Sequence, residues 1–239
     1  MARQRRKLAM ASIEVTQLTK RYPNQLALDH FDLTAHSGQI IGLLGENGSG
    51  KTTLLKILAG VLHDYAGTVR VAGFTPGPQS KAHTAYLPDV VFLPDHLTAT
   101  TAMDLYGRFF ADFERSRAEA LLDHFHLPAD RRLGALSKGM REKLQIALTM
   151  ARRAQIYLLD EPISGVDPAA REVVLRAIVE NFAADATMIV STHLLHDIEP
   201  LVDHVVFLRY GRPLLAGATD ELRETHGLSI DELFRKEYR

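Results

Sequence analysis

The chain has 239 residues, 46% hydrophobic and 24% charged, enough to bury the core of one large α/β domain. A net charge of −1 gives no electrostatic case for nucleic-acid binding, and the lack of cysteine excludes disulfides, thiolate metal sites and a thiol nucleophile. No apolar run approaches the roughly 18 residues that cross a bilayer, so the expectation is a cytoplasmic protein whose membrane span, if one is needed, belongs to another chain.

The basic run Arg3–Lys7 reads as a mobile tail, with anionic lipid contact as the sharper alternative, and Met10 as an alternative start. No apolar h-region follows it, so it is not a signal peptide. "SIEVTQLTKRY" alternates as a strand. "LALDHFDLTAHSGQIIGLLG" reads as two strands split at Ser37-Gly38, a hairpin turn pattern. "GENGSGKT" follows, then the apolar helical run "TLLKILAGVL". "AGTVRVAGF" and "HTAYLP" read as strands, with a loop at Pro76–Pro78 between them. From Val90 to about Pro128 the pattern is helical.

A helix is expected over Ser137–Arg153, then a buried parallel-type strand, "IYLLD". Pro168 opens another helix, "ATMIVST" is a strand, and "LLHDIEPLV" a short helix. "HVVFLRYGRPLLAG" reads as a hairpin about Tyr210-Gly211, and the last residues as one or two amphipathic helices. This alternation predicts an α/β core with a mainly parallel sheet covered on both faces, a β-rich N-terminal addition and an inserted helical subdomain. With the phosphate-loop motif at Gly45–Thr52, it reads as a P-loop NTPase core with an N-terminal antiparallel β-subdomain. The expected limits are 12–88 and 154–216 for the core, 89–153 for the helical insert and 217–239 for the tail.

"GENGSGKT", Gly45–Thr52, fits G-x-x-x-x-G-K-[ST] in full, after a strand and before a helix. Gly45, Gly48 and Gly50 let the backbone curl so that the N–H groups of Asn47, Ser49 and their neighbours cradle phosphate oxygens, and Thr53 continues into the helix. Lys51 is expected on the β- and γ-phosphates and the Thr52 hydroxyl on Mg²⁺. Asp160 ends the apolar strand of "IYLLDEP", where it can hold Mg²⁺, and Glu161 beside it can polarise a water. His193 ends "MIVST" and is placed to sense the γ-phosphate. His124 and His126 are two apart and share no helix face, so they carry no metal role. In "ALSKGMREKL", Ser137 caps a helix whose third residue is Gly139, a costly choice at an anion-attracting helix end.

These segments, in this order, resemble the ATP-binding cassette (ABC) transporter ATPase family from about Ile13 to the C-terminus. "GENGSGKT" resembles Walker A, "LSKGM" the signature motif, and "IYLLDE" Walker B with the catalytic glutamate. "SGVD" resembles the D-loop and "STH" the switch histidine. Tyr22 stands where that family has an aromatic stacked on adenine. The resemblance implies ATP and Mg²⁺ as cofactors and a head-to-tail dimer with a second copy or a related cassette. In that dimer Ser137, Lys138 and Gly139 of one protomer meet the γ-phosphate held by the other. It also implies a separate polytopic permease, no nucleic acid, and a place on the inner face of the cell membrane.

Two departures stand out. Lys138 and Met140 replace the usual glycine and glutamine of the signature, and Asp89 stands where that family usually has a glutamine, sometimes a glutamate, that helps ligate Mg²⁺. The shorter, charged Asp89 predicts a water-mediated contact with the metal. The tail, with Leu233 and Phe234, resembles bacterial export-type cassettes, so export of a drug, peptide or lipid is the expectation. A regulatory cassette signalling to a cell-envelope partner is the alternative. A DNA-repair ATPase would insert a long coiled coil between Lys51 and Ser137, a translation-associated member would carry two cassettes, and a small-molecule kinase would leave "LSKGM", "SGVD" and "STH" unused.

Overall fold

The computed structural model describes residues 11–238; the basic run Arg3–Lys7 and Met10 lie outside the described residues. Three strands, β1 (Ala11–Tyr22), β2 (Gln25–His36) and β4 (Ala66–Val71), form an antiparallel sheet in the order β2-β1-β4. The other sheet runs β5-β6-β7-β3-β8-β9, using β3 (Ile40–Leu44), β5 (Thr84–Leu87), β6 (Ile156–Asp160), β7 (Thr187–Thr192), β8 (His204–Arg209) and β9 (Arg212–Ala218). Its first five strands are parallel, and β9 returns antiparallel from β8 through the turn at Tyr210-Gly211.

The parallel strands are continuous apolar runs because both faces are covered: every residue of β6 and β7 is buried. One apolar cluster joins helix α1 (Lys51–Leu58) to the antiparallel sheet, through Leu54, Leu58, Phe31 and Val69. The other joins the opposite face to the helices α3 (Ala99–Phe109), α4 (Arg115–His124), α5 (Lys138–Met150) and α6 (Pro168–Glu180). The tail forms two helices, α8 (Thr219–His226) and α9 (Ile230–Glu237), and Leu233 and Phe234 pack it on this second cluster. Glu199 accepts N–H bonds from Ile230 (3.0 Å) and Asp231 (3.3 Å) and so caps α9. Between α6 and the tail, α7 (Leu195–Ile198) is a single turn.

Three expectations need correction. Ser37-Gly38 is not a hairpin turn: β2 pairs with β1, while β3 enters the parallel sheet, and Gly38 N–H bonds Ala186 across that crossing. Turn chemistry is local, but the choice of strand partner is not. The segment after Val90 is not yet helical; α3 starts only at Ala99, where Thr98 and Thr101 form a capping box. The loop at Pro76–Pro78 ends sooner than expected, because Pro78 opens the short helix α2 (Pro78–Ala82).

Candidate functional site

The phosphate loop joins β3 to α1. A side chain at Gly50, with φ 114°, would strike the Ala27 carbonyl at 2.4 Å, and one at Gly45 the Leu208 carbonyl at 2.4 Å, so both glycines are fixed by close approach. Gly211 N–H donates to Ser49 O at 3.0 Å, and Gln25 Nε2 to Gly48 O at 3.3 Å, bracing the loop from the β8–β9 turn and from β2. A cavity of about 200 Å³ opens over the loop. Tyr22, Asn47, Gly48, Ser49, Gly50, Lys51, Thr52, Thr53, Asp89 and Glu161 line it, together with Gln25 and Ala27.

Lys51 is buried and donates to Gly45 O (2.7 Å) and Glu46 O (3.2 Å). Burial pushes its ammonium below the ordinary lysine range, against the pull of Glu161 and Asp160. Glu161 Oε1 lies 3.8 Å from Lys51 Nζ, and Glu161 Oε2 lies 2.9 Å from His193 Nδ1. Glu161 is held with φ 49°, a left-handed conformation costing about 1–3 kcal/mol in a non-glycine residue, and its N–H bonds Ser191 O at 3.0 Å. The strand end is thus turned so that this carboxylate stands between Lys51 and His193.

Asp160 is 1% exposed. Burial raises its carboxyl above the usual range, opposed by the Ser191 and Thr52 hydroxyls and reinforced by the Asp89 and Glu161 charges. Ser191 Oγ donates to Asp160 Oδ1 at 2.5 Å, while Oδ2 is buried without a partner, as is Ser49 Oγ in the loop. An orphaned carboxylate oxygen beside the Thr52 hydroxyl suits a hard divalent cation such as Mg²⁺, and the orphaned Ser49 hydroxyl suits an oxyanion.

Tyr22 is 37% exposed at the cavity edge, and Lys20 Nζ lies 5.0 Å from its ring centre. Ser137, Lys138 and Gly139 are not part of this cavity wall. Ser137 Oγ accepts its own Met140 N–H at 3.2 Å, and the Lys138 ammonium stands 3.8 Å from Glu142. A side chain at Gly139 would meet nothing closer than 3.7 Å within the chain, so the chain's own packing does not demand that glycine.

Sequence reading missed Gln25, Ala27 and Ser191. Ser191 sits in register with Asp160 across β6 and β7, a pairing that no local pattern carries. Gln25 follows the turn that closes the β1–β2 hairpin, and only that pairing brings it to the loop. A second surface cavity, about 650 Å³ and mainly apolar, is lined by Val61, Tyr86, Pro88, Phe92, Phe109 and Arg152 among others. Among the described residues no helix is long and apolar enough to cross a membrane.

The family described as ABC transporter matches residues 28–164. The ABC transporter ATP-binding protein YtrB of Bacillus subtilis is 30% identical over 221 residues, covering 90% of this chain and 74% of that protein. The Nod factor export ATP-binding protein I of Ralstonia nicotianae is 33% identical over 227 residues, covering 92% and 70%. Among solved structures, an ATP-binding subunit of an ABC transporter superposes with a TM-score of 0.85 at 28% identity, over 95% of this chain and 99% of that one. A dimeric ATP-binding cassette in a post-hydrolysis state bound to ADP and Pi shares the fold, with a TM-score of 0.77 at 21% identity, over 86% and 98%.

Proposed function

The chain belongs to the ABC transporter family as an ATP-binding, ATP-hydrolysing subunit, and on that premise we propose that it powers an exporter as a head-to-tail dimer on a polytopic permease. A nucleotide cavity of about 200 Å³ falls short of the roughly 300–1,000 Å³ of a closed ligand site, which supports completion by a second protomer. In this reading adenine lies on Tyr22 and the phosphates lie over the backbone N–H groups of residues 45–53. Ser137, Lys138 and Gly139 of the partner copy approach the γ-phosphate, and Gly139 keeps that approach open.

Thr52 and Asp160 would hold Mg²⁺, with Asp89 in support, and the bound ion would supply charge neutralisation at the phosphates. Lys51 leaves its loop carbonyls for the phosphates. Glu161 takes the proton of the attacking water, and His193 orients that carboxylate and answers the charge that develops on the phosphoryl group. Most of the rate gain is positioning and electrostatics, because phosphoryl transfer asks little covalent chemistry of the protein.

The observation that carries the coupling to a permease is that one short segment lines both cavities. Tyr86 and Pro88 line the apolar groove, and Asp89 lines the nucleotide cavity. Phe109 in the groove is 77% exposed and Val61 56%, a surface suited to an apolar helix of a membrane subunit on the cytoplasmic face. Relatives named for Nod factor export support the export reading, in which the cargo would be a drug, peptide or lipid.

The test is co-expression with a polytopic membrane protein encoded beside this chain. Phe109→Asp and Val61→Asp should abolish co-purification while leaving ATP affinity unchanged. A complex that survives both substitutions contradicts the docking groove.

A further inference from the structure

Asp89 sits in a segment without helix or strand, after β5 ends at Leu87 and before α3 begins at Ala99. Gln145, on the signature helix α5, is 2% exposed. Both ends of its amide are spent on that segment. Its Oε1 accepts the Phe92 N–H at 2.9 Å, and its Nε2 donates to Val90 O at 3.3 Å. Further ties of the segment lead to the same helix and to the turn just before it: Arg141 of α5 holds Asp95 at 2.8 Å, and Leu133 and Gly134 N–H groups bond Leu97 O (2.8 Å) and Asp95 O (2.9 Å).

We propose that Gln145 is a positioning residue for ATP hydrolysis: it fixes the Asp89 loop to the signature helix, so that helix and loop move as one body. Both bonds go to main-chain atoms, so they set where the loop backbone lies whatever side chains it carries. Buried amides keep such bonds because an unmade partner cannot turn to water. The loop's other anchor is β5, which is paired with β6 and ends beside the nucleotide cavity. Any rotation of α5, whose N-terminus carries Ser137 and Gly139, therefore shifts Asp89 relative to Thr52 and Asp160. Ser137 and Asp89 serve different nucleotides in the dimer, so Gln145 would link the state of one to the metal side of the other. The proposal rests on the reading in which Asp89 supports Mg²⁺.

The test uses the full chain carrying Gln145→Leu, which keeps volume and loses both bonds, and Gln145→Glu, which keeps the acceptor for Phe92 N–H. Hydrogen exchange is followed in the peptide spanning 88–97, beside kcat, KM for ATP and the Mg²⁺ concentration giving half-maximal rate. Gln145→Leu should speed exchange in 88–97 and lower kcat about 10-fold or more, with KM unchanged and a higher Mg²⁺ requirement. Gln145→Glu should fall between, and it carries the same readings if the leucine variant does not fold. Wild-type exchange overturns the proposal, and so does faster exchange with wild-type kcat, which marks a purely structural amide. Asp89→Asn separates the two readings. If it leaves the Mg²⁺ requirement unchanged while Gln145→Leu still loosens the loop and slows turnover, the staple stands and the metal role of Asp89 falls.

Discussion

His193 Nδ1 lies 2.9 Å from Glu161 Oε2, joining the ends of two parallel strands at the mouth of the phosphate loop. The other carboxylate oxygen faces Lys51 at 3.8 Å. A carboxylate held from one side by an imidazole and from the other by an ammonium is set in direction before substrate arrives, as the base of the proposed mechanism must be. His193→Ala should therefore lower kcat about 10²-fold or more and leave KM for ATP within a few-fold. Steady-state ATPase kinetics read the split; a change confined to KM would remove His193 from the chemical step.

Tyr22 offers one exposed ring at the edge of the cavity, with Lys20 close to it. Stacking of a base on an aromatic is worth about 1–3 kcal/mol, so Tyr22→Ala should weaken ATP binding about tenfold or more and Tyr22→Phe should restore it. Equilibrium titration with a fluorescent ATP analogue measures both. Equal affinities across the three proteins would place adenine elsewhere.

Asp160 carries a buried oxygen with no partner. Mg²⁺ with ATP should raise Tm in the wild type, and chelation by EDTA should remove that gain. Asp160→Asn should lose the Mg²⁺-dependent part and all measurable turnover, because the amide removes the charge that a hard cation needs. Thermal unfolding with and without Mg²⁺ distinguishes this from simple misfolding, since the metal-free fold should persist.

The phosphate loop and the carboxylate pair were readable because each depends on a short stretch: Gly45–Thr52 between strand and helix, and Asp160-Glu161 closing an apolar run. What escaped reading depends on pairing between distant segments. Ser37-Gly38 has hairpin chemistry, yet β3 inserts between β7 and β8. Val90, Val91, Phe92 and Leu93 look helical by apolar content, but Phe92 N–H and Val90 O are spent on Gln145, and further along the loop Asp95 O and Leu97 O go to Gly134 and Leu133. Ser191 reaches Asp160 only through the β6–β7 register.

Glu199 tests the seating of the tail. Burial pushes its carboxyl upward, but the N–H bonds from Ile230 and Asp231 and the Arg223 guanidinium outweigh that and hold it below the usual range. A depressed folded-state pKa contributes stability that is present above the unfolded value and lost as pH falls through the folded one. Glu199→Gln should cost about 2 kcal/mol at pH 7, lowering Tm by about 4–8 °C. The difference from wild type should shrink as pH falls below about 4.5. A Tm difference independent of pH would mean that the charge of Glu199 does not hold α9.

In the proposed mechanism two copies of this chain enclose ATP between the phosphate loop of one and Ser137 and Gly139 of the other, with Glu161 as the base. Sedimentation of Glu161→Gln with ATP and Mg²⁺ tests it most directly. This variant should form a stable dimer holding unhydrolysed ATP, with ATP and not with ADP, and should lose it when Gly139→Asp is added. A Glu161→Gln protein that hydrolyses ATP at the wild-type rate, or stays monomeric with ATP bound, contradicts it.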